Sequence, residues 1–273
     1  MEKKQEDLKK VVQCEVLSNK RIAPDHYVME LDAPWLGKNS MPGQFVSVSV
    51  KKSGTDPLLR VPLGIHKINP KGISLLYKVV GRSTELLSLM RKADEASVLG
   101  PLGNGFDISG VRKGDTALIV SGGHGVAPLY VLSEVLMKKG ADVGFFTGAC
   151  RAEHIVCEKD LKKLGAKMRI STDDGSRGKK CYVTDLLGEF LERKKDNEKR
   201  TTIFACGPRP MLAAVSRVAA KHGVAAQVSV DAYMACGIGA CLGCAIMTAD
   251  GYKMVCKDGP VFDSREIVWE DSC

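Results

Sequence analysis

Aromatic residues are scarce in this chain: two Trp, six Tyr and seven Phe among 273 residues. Few are interleaved with basic side chains, which argues against a stacking platform for single-stranded nucleic acid. Long apolar runs are missing as well. No stretch reaches the roughly eighteen uninterrupted apolar residues that a membrane span requires. Met1 to Lys10 is charged almost throughout and lacks the apolar stretch of an export signal. The expected location is cytoplasmic, with no membrane partner. Nor does charge of one sign dominate, since 40 Lys and Arg stand against 32 Asp and Glu, a net charge of +8. The basic residues are dispersed, and their largest runs, such as Arg193 to Lys195, lie in polar, helix-end sequence. A solvated face is expected there, and no nucleic acid partner. Internal repeats and low-complexity segments are absent too.

What the chain has in plenty is cysteine, ten in all. In an unexported chain thiols stay reduced, so this count points to metal or redox chemistry instead of a disulfide framework. Cys236, Cys241, Cys244 and Cys256 form a C-x4-C-x2-C-x11-C array, which is ligand spacing for a [2Fe–2S] cluster. The loop from Cys236 to Cys244 has glycines where backbone must curl tightly and aim N–H groups at sulfur, and no bulky charged side chain to block closure. A structural zinc site is the rival, but zinc ribbons usually present two C-x2-C-like knuckles and only one such pair exists here. Cys14, Cys150, Cys157, Cys181 and Cys273 are read as small buried or surface thiols.

The fold class expected is multidomain, β followed by α/β. Residues 9–110 carry short strands over 11–17, 27–31, 45–50, 73–80 and 95–99, which suggest a small antiparallel barrel. One helix is expected over 83–92, capped by Ser83 or Thr84 and plugging one end of the barrel. Residues 111–225 change to strand and helix in alternation, with strands over 116–120, 142–147, 168–172 and 202–206 and helices over 129–138, 159–163, 183–193 and 210–222. That rhythm indicates a parallel sheet covered on both faces, with its ligand site at the carboxyl ends of the strands. Residues 226–273 return to strand and loop and hold the four cysteines. So small a segment buries little core alone, and the cluster is expected to contribute to its folding.

Further motifs sit at strand ends. Gly122, Gly123 and Gly125 follow the first parallel strand and open a helix, with Pro128 in its first turn; glycines there let backbone approach a pyrophosphate at a helix N-terminus. A plain strand-to-helix turn is the alternative, and His124 between the glycines is read as a spacer. Cys206, Gly207 and Pro208 end the last parallel strand, where a cysteine would face a nicotinamide ring. Asp173 or Asp174 offers a ribose hydrogen bond, or else forms a type I turn. In the first domain Arg60, Val61, Pro62, Leu63 and Gly64 follow a loop, Leu76, Tyr77 and Lys78 lie in a strand, and Ser83 and Thr84 open the helix. Downstream comes Gly100-Pro101-Leu102-Gly103-Asn104-Gly105-Phe106. A cationic side chain, an aromatic ring and a helix N-terminus are what a flavin dinucleotide needs.

Barrel, nucleotide domain and C-terminal cluster in that order resemble the ferredoxin-NADP reductase superfamily. More narrowly, over roughly residues 10 to 270, the chain resembles the electron-transfer subunits of NAD-dependent (class 1B) dihydroorotate dehydrogenases. The resemblance rests on Met234 to Cys244 and Val255 to Asp263, supported by Leu99 to Phe106 and Cys206 to Met211. It implies a relay serving pyrimidine biosynthesis. A partner subunit containing FMN oxidises dihydroorotate to orotate, electrons cross the [2Fe–2S] cluster to FAD, and FAD reduces NAD⁺, within a heterotetramer. It implies no catalytic residue in this chain. It places the cluster on the four cysteines, the flavin at Val61 to Gly64, Leu76 to Lys78, Ser83 and Thr84, and NAD(H) at the Gly122 to Gly125 loop and Cys206 to Pro208. The flavin positions depart from the family pattern. The family has Arg-Pro-(aliphatic)-Ser where this chain has Val61-Pro62-Leu63-Gly64, so an arginine and a hydroxyl are missing, and Ser83-Thr84 replaces Gly-Thr. Arg60 is one residue out of register, which on a strand points it to the other face. A divergent reductase subunit serving another oxidoreductase, and a cluster-bearing module that has lost FAD, are the alternatives. Arg151 and Arg177 lie near the ribose loops and leave NAD against NADP open.

Overall fold

Alternation with a period of two governs the first strand: Val12, Cys14 and Val16 turn inward while Val11, Gln13 and Glu15 turn out, so one face is buried. The computed structural model describes residues 9–50, 56–194 and 200–269; Lys195 and Cys273, named above, lie outside them. In chain order the first unit contains β1 (Lys10–Ala23), β2 (His26–Asp32), α1 (Pro34–Asn39), β3 (Phe45–Ser49), β4 (Val61–Asn69), β5 (Gly72–Lys78), α2 (Arg82–Leu89) and β6 (Glu95–Leu102). The six strands close an antiparallel barrel in the order β1-β2-β5-β4-β3-β6. Leu36 of α1 and Leu87 of α2 enter its core, both fully buried.

Two expectations for this unit need correction. The stretch after Arg60 is itself a strand, β4, which a Pro at its second position conceals from propensity reasoning. The helix is capped by Gly81, not by Ser83 or Thr84, and ends at Leu89. Thr84 is instead its third residue. The Thr84 hydroxyl accepts the N–H groups of Val80 and Gly81 at 2.9 and 3.2 Å and donates to the Gly81 carbonyl at 2.9 Å.

The second unit runs β7 (Thr116–Gly122), α3 (Val126–Lys138), β8 (Asp142–Ala149), α4 (Glu158–Lys163), β9 (Lys167–Thr172), β10 (Lys179–Lys180), α5 (Val183–Arg193), β11 (Thr201–Cys206), α6 (Arg209–Lys221) and β12 (Ala225–Ser229). β13 (Ala245–Thr248) and β14 (Gly251–Met254) form a hairpin, and β15 (Val261–Asp263) follows. One seven-stranded sheet has the order β10-β9-β8-β7-β11-β12-β15, parallel except for β15. β7 explains why its residues read as a continuous apolar run. Leu118 and Val120 pack toward Leu187 of α5 and Val215 of α6, while Ala117 and Ile119 pack toward Leu129 and Leu132 of α3.

The C-terminal segment is less separate than its size suggests. β12 and β15 belong to the sheet, and Cys244, Ile246, Val255 and Cys256 share one buried cluster with Leu187 and with Phe45 and Leu102 of the barrel. Apolar packing on two neighbours therefore supports the segment directly.

Barrel and sheet also meet through β4 and α3. The Cβ of a residue replacing Gly64 would lie 3.5 Å from the Pro128 ring. His66 is fully buried, with Nδ1 3.1 Å from the Ala127 carbonyl and its ring 4.7 Å from that of Tyr130. A carbonyl only accepts, so Nδ1 carries the proton and Nε2 faces the Cys157 thiol at 3.9 Å. Burial pushes the His66 imidazole down from 6.5 to about 4, with the Ala127 hydrogen bond opposing. Among the described residues no helix is long and apolar enough to cross a membrane.

Candidate functional site

Left-handed backbone at Gly237, Gly239 and Leu242 curls the loop after β12, with φ of 71°, 86° and 59°. The reversals at Gly237 and Gly239 turn N–H groups toward sulfur. Ile238 and Ala240 donate to Cys236 Sγ at 3.5 and 3.3 Å, Gly239 donates to Cys256 Sγ at 3.1 Å, and Cys256 donates to Cys244 Sγ at 3.4 Å. Partial burial works to raise the Cys236 thiol, but donors from Ile238, Cys241 and Ala240 outweigh it and bring it from 9.0 to about 6. Cys256 is pushed up to about 12, first by burial and then by Cys244.

Cys256 lies beside Cys244, its N–H on Cys244 Sγ, while Cys236 and Cys241 flank the curled turn between them. Among the described residues no three His, Cys, Asp or Glu side chains gather as ligands of a single ion would. Four thiols in one segment, with backbone N–H groups on three of the sulfurs, are a donor set that fits a two-iron cluster.

A clamp missed by the sequence reading fixes this loop to the barrel. Asn104 Nδ2 donates to the carbonyls of Lys257 and Asp258 at 3.2 and 2.9 Å, and the Asn104 N–H donates to the Gly259 carbonyl at 2.5 Å. A Cβ at Gly103 would lie 2.5 Å from the Pro260 ring, and one at Gly237 would lie 3.1 Å from Ser47 Oγ and 3.3 Å from Leu102. The glycine-rich run after β6 thus grips the cluster segment. The outer side of the loop is open: Ile238 is 47% exposed, Leu242 64% and Tyr233 97%.

The flavin positions divide between two faces of the barrel wall. Val61 and Leu63 turn into the barrel core, whereas Pro62 and Gly64 face outward with Arg60. Arg60 is engaged by Ser97, with the carbonyl at 2.6 Å and the hydroxyl at 3.0 Å, so it does not replace the missing arginine at α2. Tyr77 also leaves the expected set as a flavin wall. Strand alternation turns its ring inward, 2% exposed, stacked on Tyr27 and donating to Asn19 Oδ1 at 3.0 Å. Its neighbours Leu76 and Lys78 face out. At α2 the first-turn N–H groups of Arg82, Ser83 and Thr84 take no acceptor among the described residues, as helix geometry dictates. The Thr84 hydroxyl is used in shaping the cap. Arg82, in the Gly81-Arg82-Ser83-Thr84 motif, is half exposed at the helix start and pairs there with Glu85 at 3.2 Å and Asp56 at 3.8 Å. This N-terminus fits a pyrophosphate.

At the carboxyl rim of the parallel sheet two loops touch backbone to backbone. A Cβ at Gly125 would lie 2.3 Å from the Cys206 carbonyl oxygen, and one at Gly122 would lie 2.7 Å from Met211 Sδ and 2.8 Å from Pro208. One at Gly207 would lie 2.7 Å from Met211 Cε. These glycines serve loop-on-loop packing, while Gly123, at φ 52°, has open space before it. Cys206 stands between Ser121 of β7 and Ser229 of β12. Its thiol is pushed up to about 12 by burial and by Asp231, so it stays protonated. His124 is exposed between the glycines; partial desolvation lowers its imidazole, with Asp231 opposing.

Two stretches of the chain match family models, and nearly its whole length matches known proteins. Residues 231–268 match the iron-sulfur cluster binding domain of dihydroorotate dehydrogenase B, and residues 119–217 match an oxidoreductase NAD-binding domain. The dihydroorotate dehydrogenase B (NAD(+)) electron transfer subunit of Desulforamulus reducens is 38% identical over 269 residues, 96% of this chain and 100% of its own. That of a Geobacillus species is 39% identical over 261 residues, 94% of this chain and 98% of its own. Among solved structures, an NADH-dependent reduced ferredoxin-NADP oxidoreductase studied for flavin-based electron bifurcation superposes with a TM-score of 0.83 at 30% identity, covering 94% of this chain and 90% of its own. The ferredoxin reductase of carbazole 1,9a-dioxygenase shares the fold, with a TM-score of 0.65 at 21% identity over 79% of this chain and 67% of its own.

Proposed function

The chain belongs to the family of dihydroorotate dehydrogenase B (NAD⁺) electron transfer subunits, and from that premise we propose which of its residues carry the electrons' route. It is the NAD-linked oxidoreductase subunit that takes electrons from an FMN-containing catalytic partner and delivers them through [2Fe–2S] and FAD to NAD⁺. The cluster supplies one-electron steps and the flavin couples them to two-electron exchange with the nicotinamide.

Cys236 and Cys241 would hold one iron, Cys244 and Cys256 the other. The N–H groups of Ile238, Gly239, Ala240 and Cys256 stabilise negative charge on sulfur. The first-turn N–H groups of α2 with Arg82 would bind the flavin pyrophosphate, and Pro62, Gly64, Leu76 and Lys78 would border its ring. NAD(H) would enter over Gly123, with Gly122, Gly125 and Cys206 to Pro208 shaping its seat and His124 and Lys78 beside it. Cys206, held as a neutral thiol, presents a small uncharged wall there.

The partner would dock on the open side of the cluster loop, against Ile238, Leu242 and Tyr233, in a heterotetramer of two copies of each chain. The cytoplasm suits the nine described cysteines, all of them free thiols. One observation carries this assignment: the segment that bears the four thiols packs on the barrel, with Gly237 close against Ser47 and Leu102 and Asn104 holding the carbonyls that follow Cys256. Mixing the purified chain with an FMN-containing dihydroorotate dehydrogenase subunit tests it. NAD⁺ reduction that depends on dihydroorotate and on both chains is the expected result; dihydroorotate-independent reduction or none would contradict it.

A further inference from the structure

A 2′-phosphate is recognised by cations, best of all by the planar fork of an arginine. A site that refuses it must lack such cations or hold them on other partners. Two loops at the carboxyl rim carry them. The loop after β8 contains Arg151, and the loop after β9 contains Arg177. Ser176 ties the loops together: its Oγ accepts the Ala152 N–H at 2.9 Å and donates to Asp174 Oδ1 at 2.5 Å. The buried Thr172 hydroxyl fixes the Arg177 backbone, accepting its N–H at 2.9 Å and donating to its carbonyl at 3.0 Å.

The Arg177 guanidinium is taken by Glu158, the first residue of α4, at 2.7 Å. The same carboxylate oxygen receives Lys162 Nζ at 2.7 Å. Glu158 is the anchored member of the trio, its side chain 17% exposed against 51% for Arg177 and 56% for Lys162. Hydrogen bonds from Lys162 and Arg177 hold the Glu158 carboxyl below its ordinary range, so it is charged whenever a nucleotide would bind. Asp173 and Asp174 add further negative charge to the same rim.

We propose that Glu158 is a nucleotide-selectivity residue: by holding Arg177 and Lys162, though not Arg151, it weakens the rim's attraction for a 2′-phosphate and biases the chain toward NAD(H) over NADP(H). The proposal rests on the seat given above for NAD(H). Glu158 acts through Arg177, so it is a positioning residue and touches no nucleotide itself.

Calorimetric titration of the full chain with adenosine 2′,5′-bisphosphate and with 5′-AMP isolates the 2′-phosphate. Glu158→Gln keeps the shape and removes the charge, and should tighten the bisphosphate relative to 5′-AMP by roughly three- to tenfold. Adding Arg177→Ala to that variant should abolish the gain, whereas Arg177→Ala alone should leave the ratio unchanged. No gain in Glu158→Gln, or a changed ratio in Arg177→Ala alone, overturns the proposal. Hydrogen exchange with and without NADH reports the seat separately. Protection over residues 121–126 and 206–208 without a gain in Glu158→Gln sinks the selectivity device alone, and NADH binding without that protection sinks the seat and the device together.

Discussion

The cluster loop and the outer edge of the barrel face the same task, holding a redox group beside the barrel wall, and they meet it with different materials. In the cluster loop the ligands are side chains, four thiols whose spacing admits no drift, and the backbone only tunes them through N–H donors. At the barrel edge the fixed parts are backbone, the first-turn N–H groups of α2, without acceptors among the described residues, and the outward face of β4, while the side chains are exchangeable. Arg60 has gone to Ser97, Val61 has turned into the core, and Arg82 stands at the helix start instead. A site of covalent ligands stays legible in a sequence, and a site of backbone donors tolerates rewriting.

If that contrast holds, losing one thiol should be the largest single effect. Cys256→Ser is expected to reduce bound iron to background by chemical iron assay, while the barrel still closes and the chain still folds on its shared apolar core. The barrel edge should instead reveal its weakness in acid, because β4 is backed by His66. The imidazole titrates near 6.5 unfolded and near 4 folded. Below 6.5 the unfolded chain binds a proton that the folded chain refuses, so stability falls as pH drops and the loss is complete below about 4. The shift corresponds to about 3 kcal/mol. Thermal unfolding followed between pH 7 and 4 should show this slope, and His66→Gln should flatten it whatever its effect on the plateau.

Backbone contacts come next in size. Gly125→Ala, whose methyl would meet the Cys206 carbonyl, should lower stability by about 2 kcal/mol in denaturant unfolding and leave iron content unchanged. Smallest should be Arg82→Ala, expected to weaken flavin retention by roughly threefold to tenfold in a fluorescence titration, since the α2 N–H groups persist. A complete loss of flavin in that variant would mean that the edge depends on a side chain after all, and the contrast would fail.

How much was legible follows the same physics. The four cysteines, the alternation of strand and helix after Gly114, and the helix over 183–193 could be read because each is fixed by local spacing or period. β4 was hidden by its proline, and the N-cap of α2 was hidden because Gly81 offers no capping side chain to recognise. Tyr77 was misplaced because which face of a strand looks inward depends on its neighbours β2 and β4, not on its own residues. Asn104 lay in a motif visible from the sequence, yet its grip on residues 257–259 spans more than 150 positions.

The anaerobic absorbance spectrum of the purified chain, with iron, sulfide and released flavin quantified before and after NADH, tests the central claim most directly. The account predicts about two irons and about one FAD per chain, with both chromophores bleaching on NADH. Iron without flavin, and a spectrum that NADH leaves unchanged, would contradict it.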